Sequence, residues 1–533
     1  MTEAAGVGTL VRLGARVDRV LVPVCALGLA VLVAGSARAT LALYPGPDGA
    51  NRALAALGPT LDNPALLSFY GPLSGTGLGA LATFKTVLLG AVLLAVLAQV
   101  VVRRHTRAEE EAGRLELVAA GRVGRTAPLV AALVLGTATV LMTAALGAAG
   151  AAVTGLEPAG SLALGAAWAT AGLVWVGLTA VAAQLCTTAR ATTALSLGAL
   201  AVAFAARAVG DAVPGASWLT WLSPLGWSEH VAPFGADRWG PLALGVVSWA
   251  VLGIMALRLQ QGRDLGAGLV TPAPGPATGA LRSPLQLTLR LARGPVALWG
   301  VAFVLLGLLV AGLASSVGAF VDSPETARLL AELGGSQGSL VDTFYATELG
   351  VAAAAAAALG VSLVLRAPAE EASGRAELLL AGTGARSRWL AGQVAVALAA
   401  PLLVLTLLGV AAGVVDALRT GDGTAAVARL VAAAVATVPA AWVCVGAAVL
   451  VVGAAPRAAS AAWAVLVAAV VVGTFGAALG LPDAVVALSP FGHLPHLPGG
   501  TAGVVGTLAL VAVTAALVAI GLLAARRRDL RTG

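Results

Sequence analysis

Runs of about twenty apolar residues, repeated along almost the whole chain, constrain this sequence more than anything else in it. Each approaches or exceeds the roughly 20 residues that a helix needs to cross the hydrocarbon core of a bilayer. The composition agrees: 59% of the 533 residues are hydrophobic and only 11% are charged, too few to cover a soluble protein of this length. The fold class expected is an all-α polytopic membrane protein with about 12 transmembrane helices. Glu3 and Asp18 interrupt the N-terminal stretch, and no small-residue cleavage site follows, so the first span is expected to stay in the mature protein.

The runs fall into two sets of six. Expected spans lie at about 21–43, 84–102, 128–153, 162–186, 192–213 and 241–259, then at 295–317, 349–365, 389–415, 426–453, 460–480 and 502–525. Amphipathic interfacial helices are expected before each set, over Thr9–Val20 and from Pro284. The stretch from Tyr44 to about Thr83 is Gly- and Pro-rich and reads as a polar external loop. Gly268–Pro284 reads as a linker. This divides the chain into a first six-span half (1–265), a Pro/Gly-rich cytoplasmic linker (266–284) and a second six-span half (285–533).

Short polar markers tie the halves together. At a shift of 261, nine residues of Glu109–Arg125 recur in Glu370–Arg386: Glu109, Glu110, Gly113, Arg114, Glu116, Leu117, Ala120, Gly121 and Arg125 match Glu370, Glu371, Gly374, Arg375, Glu377, Leu378, Ala381, Gly382 and Arg386. Leu222-Ser223-Pro224 with Gly226 matches Leu488-Ser489-Pro490 with Gly492, and Arg263-Asp264-Leu265 matches Arg528-Asp529-Leu530. Arg190 and Arg457 stand alone in equivalent turns. This is an internal duplication. Six spans is an even number, so the two repeats are parallel, with a substrate route expected between them. Most of the 32 basic residues fall on the side holding both termini and both charged segments, which the positive-inside rule makes cytoplasmic. The net charge of +7 is therefore read as topology, and no nucleic-acid partner is expected.

Each charged segment lies between the second and third spans of its half. Glu110 precedes Arg114 by four and Glu371 precedes Arg375 by four, the favourable order for a helical ion pair. Gly121 and Gly382 stand where a left-handed residue would stop the helix. A solvated loop obeying positive-inside is the simpler account. It does not require glutamates at matched positions in both copies, so a docking surface is expected. Glu111 is replaced by Ala372, so the two surfaces differ.

Other chemistry is sparse. The P-loop pattern is missing, and the only lysine, Lys85, opens a span and is expected to snorkel at the outer interface. Cys25, Cys186 and Cys444 are scattered, and His105, His230, His493 and His496 lie in or beside loops without the partners of a metal site. Arg207 and Asp211, four apart, read as a structural pair near the outer end of the fifth span, with a proton relay as the alternative. Trp218, Trp221 and Trp227 read as an interfacial aromatic belt.

A two-fold six-span chain with EExxGRxEL after the second span, LSPxG before the sixth and RDL after it resembles the polyketide-antibiotic exporter permeases. These are membrane subunits of ABC exporters (ABC-2-like) in high-GC Gram-positive bacteria, and the resemblance covers essentially the whole chain. It implies a multi-pass protein of the bacterial plasma membrane with both termini cytoplasmic. It implies export of amphiphilic or hydrophobic compounds, antibiotic or drug-like, driven by two copies of a separately encoded ATPase. ATP and Mg would sit on that partner, with no cofactor, metal or catalytic residue on this chain, which would not be an enzyme. Glu109, Glu110, Gly113, Arg114 and Glu116, with Glu370, Glu371, Gly374, Arg375 and Glu377, would form coupling helices that contact the ATPase. A twelve-span ion-coupled secondary transporter is the alternative.

Overall fold

A computed structural model of the chain describes residues 5–61, 64–121, 123–270, 283–321, 337–383, 386–475, 482–495, 497–500 and 503–528. Among the described residues every regular element is helical, and eleven helices are long and apolar enough to cross a membrane. The span expected over 460–480 is represented by the shorter apolar helix Ala461–Phe475, and its remainder lies outside the described residues. The chain divides into two compact units, Met1–Gly275 and Pro276–Gly533.

In the first unit, α1 (Val7–Val17) precedes the spans α2 (Leu21–Leu43), α5 (Leu78–Arg104), α8 (Ala127–Ala152), α9 (Pro158–Leu185), α10 (Ala189–Ala212) and α13 (Gly240–Gln261). The first connection, read as a loop, carries α3 (Gly49–Leu61) and α4 (Pro64–Tyr70). The charged segment forms α6 (Arg107–Glu111) and α7 (Arg114–Ala119), and the Trp-rich stretch forms α11 (Trp218–Trp221) and α12 (Pro224–His230).

Span α9 is the hub of this unit. Its most apolar window is 94% buried, and it packs against α5, α8 and α13. Apolar burial does not by itself drive helices together in lipid, so small residues that permit close approach must hold the bundle. Trp168 of α9 shows how. Its ring lies against Gly90 of α5 and Gly147 of α8, where any Cβ would come within 1.9 and 2.3 Å of it, and its Nε1 donates to the Thr86 carbonyl at 3.0 Å. Helix α1 is shorter than expected because Asp18 ends it. Asp18 is buried and takes up Arg104 at 2.8 Å and His105, which fastens the N-terminal helix to the end of α5.

In the second unit, α14 (Pro284–Val321) runs unbroken through Pro295, so the expected interfacial helix and the next span are one element. It is followed by α15 (Gln337–Val364), the charged pair α16 (Arg366–Ala372) and α17 (Arg375–Thr383), and then α18 (Arg386–Thr420). One expected span is α19 (Thr424–Ala436) and α20 (Val438–Ala454), interrupted at Thr437 just ahead of Pro439, whose ring cannot donate to the preceding turn. Then come α21 (Ala461–Phe475), α22 (Asp483–Val486) and α23 (Val504–Arg527). Gly453 of α20 lies against Gly521 of α23, where a Cβ would come within 2.1 Å of a carbonyl oxygen.

The LSPxG markers have the same role in both units. Ser223 Oγ donates to the Ala203 carbonyl at 2.7 Å and accepts from the Leu225 amide at 3.2 Å. Ser489 Oγ donates to the Ala469 carbonyl at 2.6 Å and accepts from the Phe491 amide at 3.2 Å. Each serine thus caps a helical turn and pins it to the fifth span of its unit. The glycine is needed because a Cβ at Gly226 would lie 2.1 Å from the Thr220 carbonyl oxygen. The pin fixes the register: in this region, residues 266 positions apart are equivalent.

Candidate functional site

Each charged segment is two short helices rather than one. The break is at Gly113 in the first copy and Gly374 in the second, with φ of 71° and 73°, values that glycine adopts without steric penalty. The stop expected at Gly382 is therefore corrected, because Gly382 lies inside α17, whereas α7 does end at Ala119, just before Gly121; in both copies a left-handed glycine comes earlier, at Gly113 and Gly374. The break also changes the ion pairing. The i,i+4 pairs Glu110–Arg114 and Glu371–Arg375 do not form, because that spacing requires an unbroken helix. Instead Arg114 folds back on Glu109, with Nε–Oε2 at 2.6 Å and Nη2–Oε1 at 2.9 Å. Arg375 folds back on Glu370 in the same way, at 2.8 and 3.3 Å. Both arginines are 61% exposed.

The second glutamate of each pair points the other way. Glu110 is 6% exposed and receives Arg263 at 2.6 and 3.1 Å, together with Arg107 at 2.6 Å. Glu371 is 1% exposed and receives Arg528 at 2.7 and 3.0 Å, with Arg386 at 3.6 Å. Arg125 donates to the Arg263 carbonyl at 2.9 Å, and its counterpart Arg386 donates to the Arg528 carbonyl. In each unit a buried carboxylate thus clasps the charged helices to the arginine that follows the last span. Sequence reasoning finds Arg263 and Arg528 only as repeat markers and misses this role. Their recurrence in step with the glutamates was the available signal. Asp529 and Leu530 lie outside the described residues.

The expected docking residues therefore separate into two groups. Arg114, Glu116, Arg375 and Glu377 are exposed, Glu109 and Glu370 are half-buried beside them, and Gly113 and Gly374 form the turns. Glu110 and Glu371 are withdrawn from the surface. Leu117, beside Glu116, is 78% exposed and adds an apolar contact to this face. Behind it a recess of about 190 Å³ is lined by Thr106, Glu110, Leu115, Arg125, Gln260 and Arg263.

The two copies differ as well. Glu111 accepts from the Ala189 amide at 2.8 Å, at the start of α10. In the second copy Ala372 has no carboxylate, and on the Arg190–Arg457 match of the turns, one residue out of step with the serine pins, the residue equivalent to Ala189 is Pro456, which has no N–H. Acceptor and donor are lost together.

At the other end of the first unit, Arg207 is fully buried and meets Asp211 at 3.2 Å, as expected, but also Glu229 at 3.0 Å. It donates further to the carbonyls of Leu67 (3.1 Å) and Ser68 in α4, which explains why that part of the connection is ordered as a helix. Burial pushes the Glu229 carboxyl well above the usual carboxylate range. Its Oε2 is buried with no hydrogen-bond partner among the described residues. Sequence reasoning passes over Glu229 inside the Trp-rich stretch. Trp218 and Trp221 are 60% and 50% exposed, while Trp227 donates to the Trp221 carbonyl at 2.7 Å. Among the described residues no group of three or more His, Cys, Asp or Glu could hold a metal, and His496 lies outside them.

Residues 54–258 and 281–526 match the family described as multidrug efflux system permease Rv1217c, C-terminal domain. The chain belongs to the Rv1217c family of multidrug efflux permeases. It is similar to the multidrug efflux system permease protein Rv1217c of Mycobacterium tuberculosis (strain ATCC 25618 / H37Rv), with 39% identity over 525 residues covering 98% of this chain and 95% of that protein. The resemblance to exporter permeases seen in the motifs thus holds, and the chain is a multi-pass membrane permease. The two segments matched to the Rv1217c family each contain a charged helix pair and a serine pin, and each stops a few residues before the clasp arginine.

Proposed function

We propose that this permease is the membrane subunit of an ABC exporter, and that separately encoded ATPase subunits, two copies, dock on the faces made by Glu109, Arg114 and Glu116 and by Glu370, Arg375 and Glu377. Both termini lie in the cytoplasm in this reading. ATP and Mg belong to the partner, and the cargo is amphiphilic or hydrophobic, exported outward. The observation that carries the reading is the paired construction: each exposed face is fastened by a buried Glu–Arg clasp to the end of its unit's last span. A push on the short helices would pass through Glu110–Arg263 or Glu371–Arg528 to α13 or α23 instead of being absorbed by a loose loop. The relative's description as a multidrug efflux permease supports outward transport of more than one compound.

The test is co-purification with a P-loop ATPase from the neighbouring reading frame, followed by reconstitution. Glu116→Arg combined with Glu377→Arg should abolish the permease's stimulation of ATP hydrolysis while leaving insertion and thermal stability unchanged. Unchanged stimulation would remove the docking assignment. Ion-coupled transport is the second reading, favoured by the buried Asp211–Arg207–Glu229 group. Uptake of dye into vesicles that contain only this chain, driven by a proton gradient and abolished by an ionophore, would establish it instead.

A further inference from the structure

We propose that the second unit holds a binding cavity for one uncharged, apolar molecule of drug size, in the place that the first unit fills with charged side chains. The cavity has a volume of about 730 Å³, within the range of sites that enclose drug-sized ligands. One wall is a single face of α15, where Thr343, Thr347 and Val351 recur four apart and are exposed. The facing wall comes from Val470 and Gly473 of α21 and from Phe491 in the later turn that Ser489 caps. None of the described residues lining it carries a charge.

The duplication explains why the space exists. The serine pins set equivalence at 266 in this region, and the charged segment sets it at 261 for itself and for the second span before it. On that register Arg207 becomes Gly473, Glu229 becomes Pro495 and Lys85 becomes Ala346, and all three replacements line the cavity. The first unit packs the Arg207 group against α4 and Glu229 at this level. The second unit has lost the buried cation and a buried carboxylate, which leaves a volume without the ions that would oppose an apolar occupant; it has also lost the lysine, which is exposed in the first unit. The neighbouring Asp342 is paired with Arg429 at 2.9 Å. Glu348, beside Thr347 on α15, is half-buried and is not among the residues of the wall, so a cationic ligand would be desolvated here without a counter-charge in the lining, and an uncharged one is preferred.

The inference rests on the export reading only for the purpose of the ligand. Its test reads binding with no ATPase present, so either can fail alone. The purified full chain in phospholipid nanodiscs is titrated with Nile red, an uncharged planar dye, against empty nanodiscs. One saturable site per chain is expected, and rhodamine 6G, a fixed cation of similar size, should not displace it. Ala354→Trp fills the cavity and Ala346→Lys restores the first unit's residue, so each should weaken the site about tenfold or more. Leu508→Trp, on the exposed face of α23 outside the cavity, should not. Because α5 accommodates lysine at the equivalent position, the Ala346→Lys chain is expected to fold even if the tryptophan variant does not. A site unaffected by either substitution, or displaced equally well by the cation, overturns the proposal. So does the lack of any saturable site, because lipid acyl chains already present in excess would then be the occupant.

Discussion

Replacing Glu110 with glutamine should destabilise the first unit far more than the same change one residue earlier. Glu110 serves two buried guanidiniums, Arg263 at 2.6 Å and Arg107 at 2.6 Å. Removing the partner of a buried ion costs about 3–5 kcal/mol, because the desolvated charge that remains is uncompensated. Two features place Glu110→Gln near the lower end, ~3 kcal/mol. Glutamine keeps one neutral acceptor, and both arginines retain others: Arg263 reaches Gln184 at 2.7 Å, and Arg107 reaches the Ala183 carbonyl at 3.0 Å. Glu109 sits at the surface, and its Arg114 partner returns to water when released, so Glu109→Gln should leave the unfolding midpoint where it was. The assay is thermal unfolding in detergent, followed by the fluorescence of the chain's 11 tryptophans. A cycle of Glu110→Gln, Arg263→Gln and the double variant should give a coupling of at least about 1 kcal/mol. The same cycle on Glu371 and Arg528 should behave alike. Additive effects, or a Glu109 variant as damaged as the Glu110 one, would refute the clasp.

Ser223→Ala and Ser489→Ala should each cost ~1 kcal/mol, the loss of a helix cap and a buried hydrogen bond, read by the same unfolding assay. Glu111→Ala should lower the midpoint slightly, whereas Ala372→Glu should gain nothing until Pro456→Ala supplies an amide donor. Glu229 gives a pH signature. Its folded-state carboxyl titrates above its unfolded value, so its contribution is full below the unfolded value and is lost as pH rises through the folded one. As pH rises above the usual carboxylate range the midpoint should therefore fall, and Glu229→Gln should flatten the slope.

The spans were legible because hydrocarbon imposes one requirement, that every backbone group bond within its own helix, and apolar run length reports it directly. What the sequence hid were contacts between distant segments. The i,i+4 rule assigned Arg114 to Glu110 on the premise of a continuous helix, and the left-handed turn at Gly113 removes that premise. Nothing local then distinguishes Glu109 from Glu110. The partner that makes the difference, Arg263, is 153 residues away. Helix α4 escaped notice for a related reason: seven residues do not hold a helix alone, and this one is held by two carbonyls bonded to Arg207. The markers themselves were visible as a repeat. Repetition located them without saying what they touch.

Where the halves agree and where they differ separates two demands on the molecule. The clasp and the serine pin keep the same atoms at nearly the same distances in both units, although the apolar residues around them have diverged. Both are joints: one ties the charged helices to the last span, and the other ties the turn before that span to the fifth. On the proposed docking, a joint that carries the same motion in two copies has little freedom to vary. The opposite end has that freedom and has used it, since one unit buries an arginine with two carboxylates where the other leaves an uncharged cavity. If the two units receive the same push, the difference in response must arise at that end. Placing the first unit's charges at the equivalent positions of the cavity wall, by Ala346→Lys, Gly473→Arg and Pro495→Glu together, should therefore abolish dye transport while leaving the Glu371–Arg528 coupling energy unchanged. A change in both would mean that the two ends are not mechanically separate, and the division of labour argued from the duplication would be wrong.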